Sequence, residues 1–236
     1  MPRPGTLWNH SSPRATSSRL NIMRRIFITA TDTDAGKTYV TASLLRALIS
    51  AGNKVIGLKP VASGREGAAI SPDVAALLKA QCLPDSTAAN INLYNFGAAL
   101  APSQAAAEEG QSIDPQALLG WCKERSKGYD ISLIEGVGGL MVPLTDDYLV
   151  ADWLNDMPDC EILLVVRARL GGINHALLTI DKLNRMGRPP RWIVINDGDN
   201  VGEDMLARHQ QALAKAGELI IVPHGMACHL PNLILD

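Results

Sequence analysis

The stretch Ala30-Thr31-Asp32-Thr33-Asp34-Ala35-Gly36-Lys37-Thr38 restricts this chain more than any other. The apolar run Ile26-Phe27-Ile28 leads into it, and Val40, Leu44, Leu45 and Leu48 follow it at helical spacing. Strand, tight loop, Gly-Lys-Thr and helix are the layout of a phosphate-binding loop. Backbone N–H groups at a helix start point at an anion, and the helix dipole favours negative charge there. Gly36 lets the backbone approach a phosphate with no Cβ in the way. Lys37 supplies a mobile positive charge for the terminal phosphates, and Thr38 offers a hydroxyl to Mg2+. The candidate nucleotide-contacting stretch therefore runs through Asp34, Ala35, Gly36, Lys37, Thr38 and Tyr39. The usual pattern begins with Gly five residues before Gly36, where this chain has Thr31. Gly-Lys-Thr alone is a weak signal, so the strand before it and the apolar helix after it carry the reading.

The same alternation continues along the chain. Strands are expected at Lys54–Leu58, Asp130–Ile134, Glu161–Val166, Arg191–Ile195 and Leu219–Val222. Helices are expected at Val74–Ala80, with Ser71 near its cap, and at Pro102–Glu109. Further helices are expected at Pro115–Lys127 behind an Asp114 cap, and at Tyr148–Asn155, Ile173–Arg185 and Glu203–Ala216. Residues Asn90–Phe96 read as a strand or an extended loop. The strands are continuous apolar runs rather than alternating ones. This predicts an α/β fold, a mostly parallel central sheet with helices on both faces, of the P-loop NTPase kind. With 236 residues, 47% of them hydrophobic, the expectation is one ligand-binding domain over 23–236 with a well-buried core.

Residues 1–22 differ in composition: Pro2, Pro4, Pro13, Arg3, Arg14 and Arg19, several Ser, and no Asp or Glu. Such a stretch reads as disordered. It also resembles an organelle transit peptide, but Met23 stands just before the first strand, and an untranslated or dispensable extension is preferred. A net charge of −2 and 4% aromatic residues argue against a general nucleic-acid surface. No apolar run approaches the roughly 20 residues of a membrane span. Cys82, Cys122, Cys160 and Cys228 are scattered, with no Cys-x-x-Cys pair, and are expected as reduced, mostly buried thiols of a cytoplasmic protein. His224 and His229 flank Cys228, but no second cluster supports a metal there.

In an open parallel sheet, ligands bind beyond the carboxyl ends of the strands. Polar residues gather at those ends here. The second strand runs into Lys59-Pro60-Val61-Ala62-Ser63-Gly64, another into Glu135-Gly136-Val137-Gly138-Gly139, and a later one into Asn196-Asp197. Glu135 stands where phosphate-loop enzymes keep an acid for Mg2+, or else caps the glycine turn. Asp73 follows Ser71-Pro72 at a helix start and serves equally as a cap or a metal ligand. Lys59 at a buried strand end should face solvent or an anion. Asn196 either pairs with a base edge or makes a turn with Asp197 and Gly198.

Taken together, these stretches resemble the dethiobiotin synthetases, the ATP-dependent ligases of biotin synthesis, over about residues 24 to 223. The resemblance also rests on Leu170-Gly171-Gly172-Ile173-Asn174-His175-Ala176. It implies that Lys37 and Lys59 flank the transferring phosphoryl group and that Thr38, Asp73 and Glu135 hold Mg2+. Thr33 and Ser63, with Lys59, would contact the diamine or its carbamate. Gly136, Val137, Gly138, Asn196, Asp197 and Pro223 would line the nucleotide, the Asn196-Asp197 pair at adenine. Asn174 would bind the substrate carboxylate from the partner subunit of a homodimer. Ala30 replaces a usual Gly, Asp34 replaces a Glu, and the chain after Pro223 is unlike the family's end.

The implied reaction joins CO2 to 7,8-diaminononanoate at the expense of ATP, giving dethiobiotin, ADP and phosphate. Two other classes fit parts of the pattern. One is a glutamine-using amidoligase, against which no amidotransferase domain is visible. The other is a nucleotide-switched partitioning ATPase, which often carries an extra Lys early in the loop, where this chain has Thr31 and Asp32.

Overall fold

The computed structural model describes residues 23–225, so the 1–22 extension, Cys228 and His229 lie outside the described residues. Strand β1 (Arg24–Ala30) enters the phosphate loop and α1 (Lys37–Ser50) leaves it. Then come β2 (Val55–Leu58), β3 (Val61–Ala62), α2 (Pro72–Ala80), a 3₁₀ turn at Asp85–Asn90 and β4 (Tyr94–Asn95). Helices α3 (Pro102–Glu108) and α4 (Pro115–Ser126) precede β5 (Ile131–Glu135) and α5 (Val150–Asn155). The rest alternates strictly: β6 (Cys160–Arg167), α6 (Gly172–Arg185), β7 (Trp192–Asn196), α7 (Glu203–Leu213) and β8 (Glu218–Val222).

Six strands form one sheet in the order β2-β5-β1-β6-β7-β8, and every pairing is parallel. Successive residues of a strand face opposite sides, and β6 shows what covers each side. Leu163 and Val165 join the large apolar cluster, while Leu164 and Val166 join a second one with Ala176 and Ile180 of α6 and Leu213 of α7. Burial on both faces is why the strand sequences read as unbroken apolar runs.

The helix starts are written in the sequence. Ser71 Oγ accepts from Val74 N and Pro72 opens α2, while Asp114 caps α4 by accepting from Gln116 N and Ala117 N. The stretch after Lys59, which the apolar pattern leaves unassigned, forms β3, which pairs in parallel with β4 as a separate two-stranded sheet. Two-residue strands have no periodicity to detect. Tertiary hydrogen bonds define them, including Asn92 Nδ2 donating to Lys59 O at 2.7 Å.

Of the described cysteines, Cys82 is exposed and Cys122 and Cys160 are buried, all three unbridged. Burial pushes the Cys160 thiol up to about 12 and Cys122 higher still, so both are inert. Among the described residues no helix is long and apolar enough to cross a membrane.

Candidate active site

The order β5-β1-β6 puts the carboxyl ends of three central strands side by side, and the loop after β1 lies between the other two. That loop is held open by backbone geometry. Asp34 and Gly36 have φ of 59° and 93°, in the left-handed region. At Gly36 a Cβ would also lie 2.1 Å from Asn196 Nδ2, so glycine is required twice over.

Behind the loop is a buried ionic cluster. Lys59 Nζ lies 2.7 Å from Glu135 Oε1 and 2.9 Å from Asp73 Oδ2, and it donates to Gly136 O at 3.0 Å. The hydroxyl of Thr38 is 2.8 Å from Asp73 Oδ1 and 2.6 Å from Glu135 Oε1. Glu135 and Lys59 are essentially inaccessible to solvent, whereas the Asp73 side chain is about half exposed. Of the two expected surroundings, solvent or an anion, Lys59 has the second: two carboxylates hold it at the cavity wall. Burial opposes its charge, but Glu135 and Asp73 outweigh that and hold its proton above the ordinary lysine range. Burial likewise opposes the Asp73 carboxylate, and Lys59 with Thr38 more than compensates, holding it below the usual range. The capping role considered for Asp73 belongs to Ser71.

Lys37 has the opposite balance. It is buried, with Nζ donating to Asp32 O at 3.3 Å. Burial first, and then the like charge of Lys59, bring it down to about 8. A phosphate placed there would relieve both effects.

The residues also fit a divalent cation. Thr38, Asp73 and Glu135 offer only hard oxygen donors, the set Mg2+ takes. Glu135 Oε2 is buried with no hydrogen-bond partner, an orphan acceptor that a cation or its water would satisfy.

A cavity of about 970 Å³ opens over this cluster. Of the expected residues, Thr33, Asp34, Gly36, Lys37, Thr38, Lys59, Ser63, Asp73, Val137 and Gly138 line it. Glu135 and Gly136 sit just behind the wall and reach it through Thr38 and Lys59. Ala35 is buried and Tyr39 is exposed on α1, so neither lines it. A second cavity of about 340 Å³ shares Thr33 and Val142 with the first and extends to Leu178, Thr179 and Lys182 of α6.

The expected base-reading residues have structural duties. Asn196 Nδ2 donates to Ala35 O at 3.0 Å, and Asp197 Oδ1 accepts from Val201 N at 2.9 Å, closing the turn after β7. Pro223 is exposed directly after β8, and Asn174 is exposed at the start of α6; neither lines a cavity.

Sequence reasoning missed Arg167, which lines the large cavity, and Arg169, which pairs with Asp32 at 2.9 Å. The signal was available: a basic residue ending an apolar strand, as at Lys59. Apolar Ala99, Leu100 and Pro102 on the cavity rim gave no such signal.

A parallel sheet with a left-handed glycine loop, a Lys-Thr helix start and a facing acid at the next strand end defines a P-loop nucleotide-binding protein. Solved structures share the fold. A ParA family ATPase from Chlorobium tepidum has a TM-score of 0.52 at 16% identity, over 86% of this chain and 85% of that one. The septum site-determining protein MinD from Pyrococcus horikoshii, complexed with Mg-ADP, has a TM-score of 0.52 at 17% identity, over 86% and 82%. Residues 24–233 match a family model described as an AAA domain. The ATP-dependent dethiobiotin synthetase BioD of Methylobacterium nodulans is 40% identical over 185 residues, 74% of this chain and 81% of that protein. BioD 1 of Salmonella typhi is 36% identical over 203 residues, 85% of this chain and 86% of that protein. The chain belongs to the ATP-dependent dethiobiotin synthetase family.

Proposed function

We propose that this protein uses Mg-ATP to carboxylate 7,8-diaminononanoate with CO2 and close the cyclic urea of dethiobiotin, in the cytoplasm, from one ligase domain beginning at residue 23. The observation that carries this reading is the convergence of Lys37, Lys59, Thr38, Asp73 and Glu135 at the head of a cavity that shares Thr33 and Val142 with a second one. The first cavity has the phosphate loop for ATP. The second runs beside Thr33 toward α6, suited to a chain with a polar head and an aliphatic body.

In this reading one neutral amine of the substrate captures CO2 as a carbamate. The carbamate oxygen attacks the γ-phosphorus, and the bond to the β-phosphate oxygen breaks to release ADP. The second amine attacks the carbonyl of the resulting anhydride, phosphate leaves, and the ring closes. No protein nucleophile is needed. Positioning the reactants lowers the barrier, by about 7–11 kcal/mol in ideal cases. Lys37 and Lys59 neutralise charge on the transferring group, and Ser63 and Thr33 orient the carbamate. Mg2+, bound by Thr38, Asp73 and Glu135, supplies further charge neutralisation at the phosphates.

A homodimer completes the site in this reading. Leu178, 62% exposed, and Met141 line the second cavity, and Leu170, 93% exposed, and Leu177 are exposed just before and on α6. So large an apolar exposure next to a binding cavity suits a second copy of the chain. Asn174 at the exposed start of α6 would then bind the substrate carboxylate of the partner subunit's site, aided by the helix dipole. The test is product identification by mass: purified protein with ATP, Mg2+, bicarbonate and the diamine yields the cyclic urea, and a monoamine analogue yields none. No urea from the diamine would overturn the proposal.

A further inference from the structure

Arg167, the last residue of β6, has no part in the chemistry above, yet it lines the nucleotide cavity. Its guanidinium makes two kinds of contact. Nε donates to Asp199 Oδ2 at 2.7 Å and Nη2 donates to Asp199 Oδ1, a bidentate pair. Nη1 donates to the carbonyl of Asp34 at 3.1 Å. One side chain therefore spans from the turn after β7 to the middle of the phosphate loop.

The loop needs such support for a geometric reason. A phosphate site presents N–H groups inward, so the loop's carbonyls are turned outward and need donors of their own. The Asp34 carbonyl belongs to a residue in the left-handed region, which a non-glycine side chain adopts only at a cost. The structure gives donors to two adjacent carbonyls: Arg167 to Asp34 and Asn196 to Ala35. Arg167 and Asn196 are register partners across β6 and β7, so both donors come from one rung of the sheet. The planar guanidinium fork holds a carboxylate with two N–H groups in fixed geometry and directs another at a carbonyl. Asp199 fixes the plane of the fork, which aims Nη1 at the loop.

We propose that Arg167, oriented by Asp199, is a positioning residue for nucleotide binding, clipping the Asp34 peptide so that the phosphate loop is preset before ATP arrives. The inference rests on the nucleotide reading of this cavity. A preset loop lowers the ordering cost of binding and leaves the transfer step alone. Its loss should therefore appear in KM for ATP and not in kcat.

The test is a set of variants with Mg-ADP affinity, kinetics and thermal stability measured together. Arg167→Ala should weaken Mg-ADP binding and raise KM for ATP about tenfold, the scale of one loop-holding hydrogen bond, with kcat and KM for the diamine within about twofold. Arg167→Lys keeps N–H donors and most of the reach and should recover part of that loss, whereas Arg167→Gln, whose amide ends where Nε stands, should not. Asp199→Ala, which leaves the guanidinium present but unoriented, should show a loss of about threefold, a fraction of the hydrogen bond. If Arg167→Ala and Asp199→Ala both bind Mg-ADP like the parent, the proposal is wrong. It is also wrong if Arg167→Ala is impaired while Asp199→Ala binds Mg-ADP as tightly as the parent or tighter, since that is a direct charge contact with the nucleotide. If kcat and both KM values change together with a drop in Tm, the role is general folding and the proposal fails. A parent protein with no affinity for Mg-ADP would overturn the nucleotide reading itself.

Discussion

Lys59 Nζ sits 2.7 Å from Glu135 Oε1, and neither residue exposes more than 1% of its surface. Their strands, β2 and β5, are neighbours in the sheet, so the pair bridges two adjacent strand ends. Taking both charges out of water is costly, and mutual attraction offsets that cost only where the geometry is good. In the proposed reaction the pair faces the transferring phosphoryl group.

Stability and activity should therefore separate at this pair. Glu135→Ala leaves Lys59 buried with only Asp73 opposite, and should cost up to about 3–5 kcal/mol, the range for breaking a buried pair. The double variant Lys59→Met with Glu135→Leu should be as stable as the parent or more so, yet without turnover. Denaturant unfolding and product formation, measured on the same samples, check this. A double variant much less stable than Glu135→Ala would contradict it.

Lys37 predicts a pH dependence with a definite sign. The folded, unliganded protein releases the Lys37 proton near 8, while the unfolded chain keeps it to about the ordinary 10.5. Between those values the unfolded state binds more protons, so this group's contribution to stability rises with pH across that window. Nucleotide affinity runs the other way, because a phosphate needs the charged amine. Mg-ADP binding should be flat from pH 6.5 to 7.5 and weaken above about 8, with proton uptake on binding. Calorimetry in buffers of different ionisation enthalpy measures that uptake, which Lys37→Ala should abolish. The same variant should lose at least about 10²-fold in turnover while keeping the fold, as for one lost transition-state contact.

Gly36→Ala tests the loop's geometry. The new methyl would collide with Asn196 Nδ2 and force a side chain into a left-handed φ. The expectation is lost nucleotide binding with a stability loss of about 1–3 kcal/mol from backbone strain. Asn196→Gly in the same chain removes the collision but not the strain, and should recover stability only in part. Full recovery would show that the conformation itself is cheap.

The sheet was legible because its strands are buried on both faces, which writes them as apolar runs such as Ile162–Val166. The caps were legible because Ser71 and Asp114 satisfy the backbone locally. Lys59 was legible as a cation at a strand end but not in its environment. Its partners lie 14 and 76 positions away in sequence, and only the strand order brings them together. Asn196 was legible as polar at a strand end, while its bond to the Ala35 carbonyl depends on how the loop turns. Strands β3 and β4 are too short to carry a period, and the contacts of Arg167 depend on how the phosphate loop and the turn after β7 fold.

Assembly offers a separate test. Leu178 is 62% exposed on α6 and lines the second cavity. Leu178→Asp should convert a dimer into a monomer and raise KM for the diamine by a larger factor than KM for ATP. Light scattering with steady-state kinetics reads both. A parent protein that is monomeric and fully active would rule out the shared site.

The ligase account stands or falls on what phosphate release requires. If the carbamate is the phosphoryl acceptor, ATP turnover needs the diamine and CO2 together, because neither alone can form it. The decisive measurement is phosphate release in CO2-depleted buffer, with bicarbonate then added back, in the presence of the diamine. The account predicts little release before the addition, and afterwards ADP formed one-for-one with the cyclic urea. Release that is the same with and without CO2, with no urea product, would contradict it and favour a nucleotide-switched ATPase.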